Sequence, residues 1–409
     1  MKYVILGAGP AGVIAAETLA NADSEGHITL VGGEAGAPYS RMAIPYVLTG
    51  KIKPEGAQLR KTDGFYRALG IDYINARAKS VDPDLGIVTL DDDHKLGFDK
   101  LLVATGSTPV KPPVPGLDLP GVHHCWTLQD ADAIAARAKQ GADVVLMGAG
   151  FIGCIILESL VERGVNLTVV EAEDRMIARM MDATGGEILN RWVASKGIKL
   201  LTSTKVTGVA QDGKKLTVTT DKAGDLKADL VVVSVGVKAN TDFLAGSGVK
   251  IEEGVVVDAH LQSSLPDIFA AGDVAKGPNF GGGFQVHAVQ PTSADHGRIA
   301  ALNMLGQKAV YQGSLIMNVL DTLGLISASF GHWMGEDDVA VAVDFDRYRY
   351  TKLAFDGDHL VGALSLGRTD QIGVLRGLIQ SRVKLGPWKA KLKADPSLIA
   401  DAYVALTRV

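Results

Sequence analysis

Cysteine is nearly absent from this chain of 409 residues, which contains only Cys125 and Cys154. Two cysteines cannot build a disulfide framework or a four-cysteine zinc site, so we expect free thiols and a cytoplasmic location. No apolar run reaches the roughly 18 residues that a membrane span requires, and Gly7 interrupts the first apolar run before a signal peptide could form. We therefore expect a soluble protein with no membrane partner.

An excess of positive charge is also missing. The 41 basic residues are outnumbered by 46 acidic residues, which gives a net charge of -5. Because no overall positive field is present to attract nucleic acid, we expect no nucleic-acid partner. Disorder is excluded, since hydrophobic residues make up 47% and charged residues 21% of the chain, as in ordinary globular proteins. The length predicts about three domains.

Glycine is abundant, with 48 occurrences, well above the ~7% of an average protein. Two glycine-rich segments share one pattern, in which a short apolar run leads into G-x-G-x-x-G and then into a helical pattern. The glycines of this pattern are Gly7, Gly9 and Gly12 in the first loop and Gly148, Gly150 and Gly153 in the second. The predicted helices cover residues 10–22 and 151–164, and strands are predicted to follow at 28–31 and 167–170.

Each loop has the features of a dinucleotide site. The first glycine makes a tight turn, the second leaves room for a pyrophosphate, and the third lets helix and strand pack closely. An acidic residue about 20 positions further on accepts hydrogen bonds from ribose hydroxyls, and Glu34 and Glu171 lie at such positions. Either loop alone could be an ordinary glycine-rich turn. Glu171 favours NADH because it would repel the 2′-phosphate of NADPH, although Arg175 leaves NADPH as an alternative.

These patterns predict an α/β fold with two Rossmann-like dinucleotide-binding domains and, after Gly313, a third C-terminal domain of mixed α+β character. The apolar runs at 101–103 and 230–233 read as buried parallel strands of the two sheets. A cluster of prolines between 109 and 120 marks a crossing between domains. Alternating segments near 255–257, 341–345 and 349–355 are predicted strands.

Three segments together resemble the FAD signatures of the pyridine nucleotide-disulphide oxidoreductase superfamily. They are the first glycine loop, the segment L-V-A-T-G ending at Gly106, and the segment P-D-I-F-A-A-G-D ending at Asp273. The pattern is most similar to ferredoxin and rubredoxin reductases and to the flavoprotein half of assimilatory nitrite reductases. The resemblance implies FAD as the bound cofactor and NADH as the electron donor.

The resemblance also assigns binding residues and domains. FAD contacts are implied at Gly7, Gly9, Pro10, Ala11, Gly12, Glu34, Arg41, Ala104, Thr105, Gly106, Gly272, Asp273, Pro291 and Thr292, and NADH contacts at Gly148, Gly150, Ile152, Gly153, Glu171 and Gly236. Asp273 would bind the ribitol and phosphate region, Glu34 the adenosine ribose, and Arg41 the pyrophosphate, with a surface role for Arg41 left open. The implied domains are FAD-binding at 1–110 and 243–313, NAD-binding at 111–242, and interface at 314–409.

A helix is predicted after Gln290, with Thr292 as its N-cap and Asp295 completing an approximate capping box. By the resemblance, the positive end of this helix faces the flavin edge, where it would stabilise the anionic reduced ring. An ordinary capped helix packed on the domain is the alternative.

Redox cysteines of related enzymes have no counterpart in this sequence. The chain has no C-x4-C pair, and Met42 stands where single-cysteine relatives carry their redox thiol. Methionine cannot form a thiolate or a mixed disulfide. Cys154 follows the second glycine loop and could approach the nicotinamide, although a buried packing role is the alternative. We therefore name no catalytic residue and no metal ligand, because the cofactors carry the chemistry of hydride transfer.

Three positions depart from the ferredoxin reductase pattern. Where those enzymes usually have a glutamate, a lysine and an arginine, this chain has Ile155, Tyr46 and Trp126. The effect of these changes on nicotinamide binding stays open, and a modified nicotinamide site is one interpretation.

The leading hypothesis is an NADH-dependent flavoenzyme that passes electrons to a small acidic iron–sulfur protein such as a ferredoxin or rubredoxin. Six basic residues without an acidic one between Asp370 and Asp395 could steer such a partner, namely Arg376, Arg382, Lys384, Lys389, Lys391 and Lys393. The three lysines two apart are not expected to share a helix face, and a solvated tail is the alternative. A reductase or oxidase of small molecules, a non-catalytic flavoprotein subunit, and a homodimer are also left open.

Overall fold

A computed structural model describes residues 1–368 and 370–407. The described residues form two compact units. The first comprises Met1–Pro109 and Val237–Ser314, and the second comprises Val110–Gly236 and the described residues from Leu315 onward. The predicted C-terminal region therefore lies in one compact unit with residues 110–236. The assignment of FAD-binding, NAD-binding and interface domains stays a prediction.

Strands outnumber helices along the chain, and many of them are short. The strands are β1 (Lys2–Leu6), β2 (His27–Gly32), β3 (Ile71–Asn75), β4 (Ala78–Asp82), β5 (Ile87–Leu90), β6 (Lys95–Gly97), β7 (Lys100–Val103), β8 (Ser107–Pro109), β9 (Val122–His124), β10 (Asp143–Met147), β11 (Asn166–Val170), β12 (Lys199–Leu201), β13 (Val206–Asp212), β14 (Lys215–Thr220), β15 (Asp225–Ala228), β16 (Leu230–Val233), β17 (Val237–Ala239), β18 (Val255–Val256), β19 (Ile268–Ala270), β20 (Ala275–Pro278), β21 (Phe284–Val286), β22 (Met317–Thr322), β23 (Leu325–Gly331), β24 (Val339–Asp344), β25 (Arg349–Asp356) and β26 (His359–Leu366). The helices are α1 (Pro10–Ala22), α2 (Ile44–Leu48), α3 (Phe65–Ala68), α4 (Leu128–Arg137), α5 (Phe151–Glu162), α6 (Ala183–Ser195), α7 (Gln290–Met304), α8 (Ile372–Ser381), α9 (Pro387–Ala394) and α10 (Ile399–Thr407).

The first unit is built on a parallel sheet in the order β19-β7-β1-β2-β3. Its central strands are apolar on both faces, and Ile5, Leu30 and Leu102 are fully buried in one core. Buried runs of this kind are typical of parallel strands covered on both sides. Smaller sheets, β4-β5-β6, β17-β8 and β18-β20-β21, complete this unit.

The second unit repeats the plan with the parallel sheet β12-β11-β10-β16-β9. In both sheets the central strand, β1 or β10, leads into a glycine loop and a helix, and the next strand along the chain pairs beside it. The predicted α/β class with two Rossmann-like sheets is confirmed. The unit also holds the three-stranded sheet β13-β14-β15 and the antiparallel sheet β22-β23-β26-β25-β24.

The predicted elements around the glycine loops are present. Helix α1 covers Pro10–Ala22 as predicted, and α5 ends at Glu162, two residues before the predicted end at 164. The predicted strands near 255–257, 341–345 and 349–355 correspond to β18, β24 and β25. Among the described residues, no helix combines the length and apolar character that spanning a bilayer requires.

Adding a methyl group at Gly12 should destabilise the first unit. A Cβ at Gly12 would lie 1.8 Å from the carbonyl oxygen of Gly7, a backbone atom that cannot move aside, whereas a Cβ at Gly9 would meet nothing within 4 Å. We expect Gly12→Ala to lower the free energy of unfolding of the cofactor-free protein by about 1–3 kcal/mol. Gly9→Ala, the matched control, should change it by less than about 1 kcal/mol. Denaturant unfolding measures both, and equal stability of the two variants would contradict the packing described.

Candidate dinucleotide sites

The three glycines of the first loop have different structural roles. Gly7 has a φ of 112°, and a Cβ there would lie 2.1 Å from the carbonyl oxygen of Ala104, the residue that follows β7. Gly12 lets α1 pack against the turn, whereas the space at Gly9 is open. Gly9 is also the N-cap of α1 and provides no side chain to cap the helix. The free N–H groups of the first turn can therefore bind an anion that approaches Gly9.

The second loop repeats this geometry in the second unit. A Cβ at Gly148 would lie 2.2 Å from the carbonyl oxygen of Ser234, and one at Gly153 would lie 2.3 Å from that of Gly148. The space at Gly150, the N-cap of α5, is open. Each loop therefore leaves room for a pyrophosphate only at its middle glycine. The residues present fit two dinucleotides, one in each unit.

The acidic residue after β2 is paired with the predicted arginine. Glu34 accepts hydrogen bonds from the hydroxyl of Tyr39 and the guanidinium of Arg41, which also lies 3.3 Å from the Tyr39 oxygen. Ser40 donates a 2.5 Å hydrogen bond to Gln290 at the start of α7. The segment 38–41 is thus held beside the end of β2, and Tyr39 becomes a candidate site residue through its hydrogen bond to Glu34. The contacts predicted for Glu34 with a ribose and for Arg41 with a pyrophosphate stay predictions.

Asp273 lies close to two serines of the first unit. Its carboxylate accepts a 3.2 Å hydrogen bond from Ser107 and lies 3.5 Å from the hydroxyl oxygen of Ser293 in α7. Burial raises the pKa of Asp273, and the Ser107 hydrogen bond and the positive charge of Arg41 partly offset that rise. The guanidinium of Arg41 binds Glu34 directly, and its charge also acts on Asp273.

The other predicted residues of the first unit surround this group. Thr105 donates a 2.8 Å hydrogen bond to the carbonyl oxygen of Asn240, and the Asn240 N–H donates one of 2.9 Å to Gly106. These hydrogen bonds with Asn240 hold residues 104–106, which follow β7, in place. The segment follows the carboxyl end of a parallel strand, as ligand-binding loops do in open α/β sheets.

The predicted capping role of Thr292 is wrong. Helix α7 begins at Gln290 with Val289 as its N-cap, and no side chain of the described residues caps it. Pro291 occupies the first turn, where its missing N–H costs nothing. The buried Thr292 side chain instead lies 3.1 Å from the hydroxyl oxygen of Ser314. The N–H groups at this helix end therefore have no side-chain cap.

A histidine that sequence analysis missed supports the loop that carries Asp273. The Nδ1 atom of His296 in α7 accepts a 3.3 Å hydrogen bond from the Gly272 N–H, while its buried Nε2 has no hydrogen-bond partner among residues 1–368 and 370–407. The ring is 1% exposed and packs edge to face against Tyr311. Its position four residues after Thr292, on the same face of a helix, was the only available signal.

In the second unit, Glu171 binds the glycine loop directly. Its carboxylate accepts a 2.5 Å hydrogen bond from the Ala149 N–H and one of 2.8 Å from the Glu173 N–H. Arg175, the residue that left NADPH open, pairs with Asp174 at 2.6 Å and donates to the carbonyl oxygen of Met181 at 3.2 Å. Ile152 lies in the first turn of α5, and Gly236 follows β16 with a φ of 119°.

Both thiols are buried. The Cys154 sulfur lies 3.5 Å from the carbonyl oxygen of Ala149, inside the second glycine loop. Burial raises the pKa of Cys154 far above its ordinary value and that of Cys125 to about 12. A thiol with such a pKa stays protonated at neutral pH and is a poor nucleophile. By contrast, Met42, which the resemblance predicts to stand at the position of a redox cysteine, is 54% exposed.

The expectation about the C-terminal lysines is wrong for two of them. Lys389 and Lys393 lie four residues apart in α9 and both bind Asp338, at 2.5 and 2.9 Å. They share a helix face because the α-helical repeat brings residues four apart together. Lys391 lies elsewhere on the helix, with its ammonium 4.2 Å from the centre of the Trp388 ring. Part of the basic segment is therefore neutralised within the chain.

Comparison with known proteins identifies the family of the chain. Residues 1–299 match the family described as pyridine nucleotide-disulphide oxidoreductase. The chain belongs to this family. Its members are FAD- and NAD(H)-binding oxidoreductases, so the predicted family and cofactors are confirmed and the chain is an oxidoreductase. No group of three or more potential metal ligands was found within residues 1–368 and 370–407.

Individual relatives match over most of the chain. The epsilon subunit of NADH-dependent phenylglyoxylate dehydrogenase from Aromatoleum evansii is 30% identical and is matched over 99% of this chain and 98% of its own length. A ferredoxin–NAD(+) reductase component of the p-cumate 2,3-dioxygenase system from Pseudomonas putida is 30% identical, with 76% of each chain covered. The solved covalent complex of putidaredoxin reductase with putidaredoxin has a similar fold, with a TM-score of 0.91, 23% identity, and 100% and 99% of the two chains covered.

The buried histidines should make the protein less stable in mild acid. Burial lowers the pKa values of His296 and His287 from 6.5 to about 4, so the unfolded chain binds more protons than the folded one between these values. The free energy of unfolding should fall as the pH drops from 6.5 towards 4. His296→Gln keeps an acceptor for Gly272 and should reduce this pH dependence in urea titrations. His27→Gln, at an exposed position, is the control. If the free energy of unfolding of His296→Gln depends on pH as steeply as that of the wild type, the lowered pKa of His296 is contradicted.

Proposed function

We propose that this flavoprotein passes electrons from NADH through FAD to an iron–sulfur protein, with no cysteine on the electron route. The observation that carries the proposal is the burial of both thiols in a chain that has two dinucleotide loops. A protein with a cofactor site in each unit and no accessible thiol must release electrons from the flavin itself. The family membership supports the first half of this route, and the buried thiols support the second.

In the first unit we assign binding roles to the residues around the glycine loop. The open space at Gly9 and the free end of α1 would accept the FAD pyrophosphate, with Arg41 providing a positive charge beside it. Glu34 would bind the adenosine ribose, and Asp273 the ribitol and phosphate region. Bound FAD supplies the chemistry that accepts the two electrons of one hydride from NADH and passes them on singly.

In the second unit we assign the NADH pyrophosphate to the open space at Gly150 and the adenosine ribose to Glu171. The carboxylate at the end of β11 disfavours a 2′-phosphate by charge repulsion. Arg175 is already engaged with Asp174 and the Met181 carbonyl group, so its guanidinium is not free to bind that phosphate. These contacts support NADH over NADPH.

The proposed acceptor rests more on the relatives than on the basic segment. The relative from Pseudomonas putida is named as a ferredoxin reductase component. Because Lys389 and Lys393 share the carboxylate of Asp338, fewer positive charges remain to steer an acidic partner than the sequence indicated. We therefore propose an iron–sulfur protein as the acceptor without assigning its docking face.

A second candidate function is a fixed electron-transfer subunit of a larger NADH-dependent enzyme. The match to the epsilon subunit of phenylglyoxylate dehydrogenase covers nearly the full length of both chains, and it favours this candidate. In that case the acceptor would be a companion subunit. Size-exclusion chromatography of the protein purified from its native cell separates the two candidates, because a fixed subunit should elute with its companions.

Anaerobic mixing of the FAD-loaded protein with NADH tests the proposed route. We expect NADH to bleach the flavin absorbance, and we expect reduction of cytochrome c to require an added ferredoxin. The double variant Cys125→Ser and Cys154→Ala should retain the rate of bleaching within about twofold, because no thiol takes part. A flavin that NADH does not bleach, or loss of bleaching in the double variant, would contradict the proposal. Cytochrome c reduction without ferredoxin would instead favour a reductase of small molecules.

A further inference from the structure

A loop of the second unit connects the proposed ribose-binding carboxylate to helix α6. It runs from Glu171 to Asp182 and is fixed to the glycine loop, because the Ile177 N–H donates a 2.9 Å hydrogen bond to the Ala149 carbonyl oxygen. Ala149 also donates its own N–H to Glu171. A displacement of the loop would therefore move the partner of Glu171 as well as the residues next to it in sequence.

The middle of this loop is strained. Ile177 has a φ of 44°, a left-handed conformation that is rare for a β-branched residue. Such a residue persists only where the surrounding structure holds it in place, and it is found preferentially at ligand-binding sites. Ile177 is 2% exposed, and the preceding Met176 N–H donates a 3.2 Å hydrogen bond to Asn190 of α6. The conformation of the loop thus depends on α6.

The far end of the loop is held by the C-terminal sheet. Asp182 is the N-cap of α6, accepting a 3.0 Å hydrogen bond from the Gly185 N–H. Its other carboxylate oxygen accepts a 2.6 Å hydrogen bond from the Tyr350 hydroxyl group and lies 3.5 Å from the Lys352 ammonium. Both partners lie on β25, and the Lys352 side chain is only 8% exposed. Burial and the Asp182 carboxylate raise the pKa of Tyr350, so its hydroxyl group remains a donor at neutral pH.

The first turn of α6 packs closely against both β25 and the loop 171–182. A Cβ at Gly185 would lie 3.3 Å from the Tyr350 ring, and a Cβ at Gly186 would lie 2.4 Å from the side chain of Arg175. Gly185 therefore lets α6 approach the C-terminal sheet, and Gly186 lets it approach the loop 171–182. Further along α6, Trp192 donates a 2.9 Å hydrogen bond to the Thr322 carbonyl oxygen. The helix is held between the loop and the C-terminal sheet.

We propose that Tyr350 and Lys352 are positioning residues for the adenosine half of NADH, acting through Asp182 and the loop 171–182 on Glu171. The inference rests on the proposed role of Glu171 in binding the adenosine ribose. It gives the C-terminal sheet a part in nucleotide affinity, although neither Tyr350 nor Lys352 is among the predicted nucleotide-binding residues. The nicotinamide half should be insensitive to the same residues.

Binding of ADP-ribose to the FAD-loaded protein, measured by calorimetry, tests the adenosine half alone. Tyr350→Phe keeps the ring and removes one hydrogen bond to a carboxylate, so we expect its Kd for ADP-ribose to rise about threefold to tenfold. The matched control is Tyr348→Phe. The Tyr348 ring also packs against α6, at 5.0 Å from that of Trp192, but its hydroxyl group has no hydrogen-bond partner among the described residues. The control should bind ADP-ribose as the wild type does.

A kinetic comparison separates positioning from a general loss of structure. The KM for NADH should rise in Tyr350→Phe, while the KM for reduced nicotinamide mononucleotide, which lacks the adenosine half, and the FAD content should stay unchanged. Asp182→Asn keeps a good N-cap but loses the charge that faces Lys352, so it should also raise the KM for NADH and leave that for reduced nicotinamide mononucleotide unchanged. It serves as the test variant if Tyr350→Phe does not fold. An unchanged Kd for ADP-ribose in Tyr350→Phe and Asp182→Asn would overturn the inference alone. A wild-type protein that binds no ADP-ribose would overturn it together with the proposed NADH site.

Discussion

The close approach of a helix to the turn that precedes it, repeated in both units, is the constraint on which the rest of the structure depends. In each loop, a Cβ on the third glycine would lie only about 2 Å from the backbone carbonyl oxygen of the first glycine, so no side chain fits there. This approach directs the free N–H groups of α1 and α5 towards the space at Gly9 and Gly150. Only glycine can satisfy both requirements, namely tight packing at one position and an open backbone at the other.

The polar residues around each loop follow from this arrangement. The parallel register aligns Leu6 with Val31 and Val103, so that the segments carrying Glu34 and Ala104 leave the sheet at the same edge as the glycine loop. The second unit aligns Met147 with Val170 and Val233 in the same way. A polar residue that follows a strand in sequence is thus brought to the edge where a nucleotide would bind.

Much of this could be predicted from the sequence because the signals are local. An apolar run, a glycine spacing and an acidic residue after the next strand identify both sheets and the residues Glu34 and Glu171. The missed features depend on residues distant in sequence. They are the hydrogen bond from the Gly272 N–H to His296, the ion pairs of Lys389 and Lys393 with Asp338, and the hydrogen bond from Tyr350 on β25 to Asp182. Thr292 shows a different error, since Pro291 allowed the helix to begin earlier than the capping pattern indicated.

The first unit is discontinuous in the chain, and this has a consequence for folding during synthesis. Strand β7 pairs with β19 in the same sheet, and α7 packs so closely on α1 that a Cβ at Gly297 would lie 2.2 Å from the Ala11 carbonyl oxygen. The ribosome adds these two elements only after all of residues 110–236. At roughly 5–20 residues per second, the nascent sheet waits on the order of ten seconds or more with an open edge and an uncovered helix. During that interval the second parallel sheet can form first, while the edge of β7 and the apolar face of α1 stay exposed to solvent.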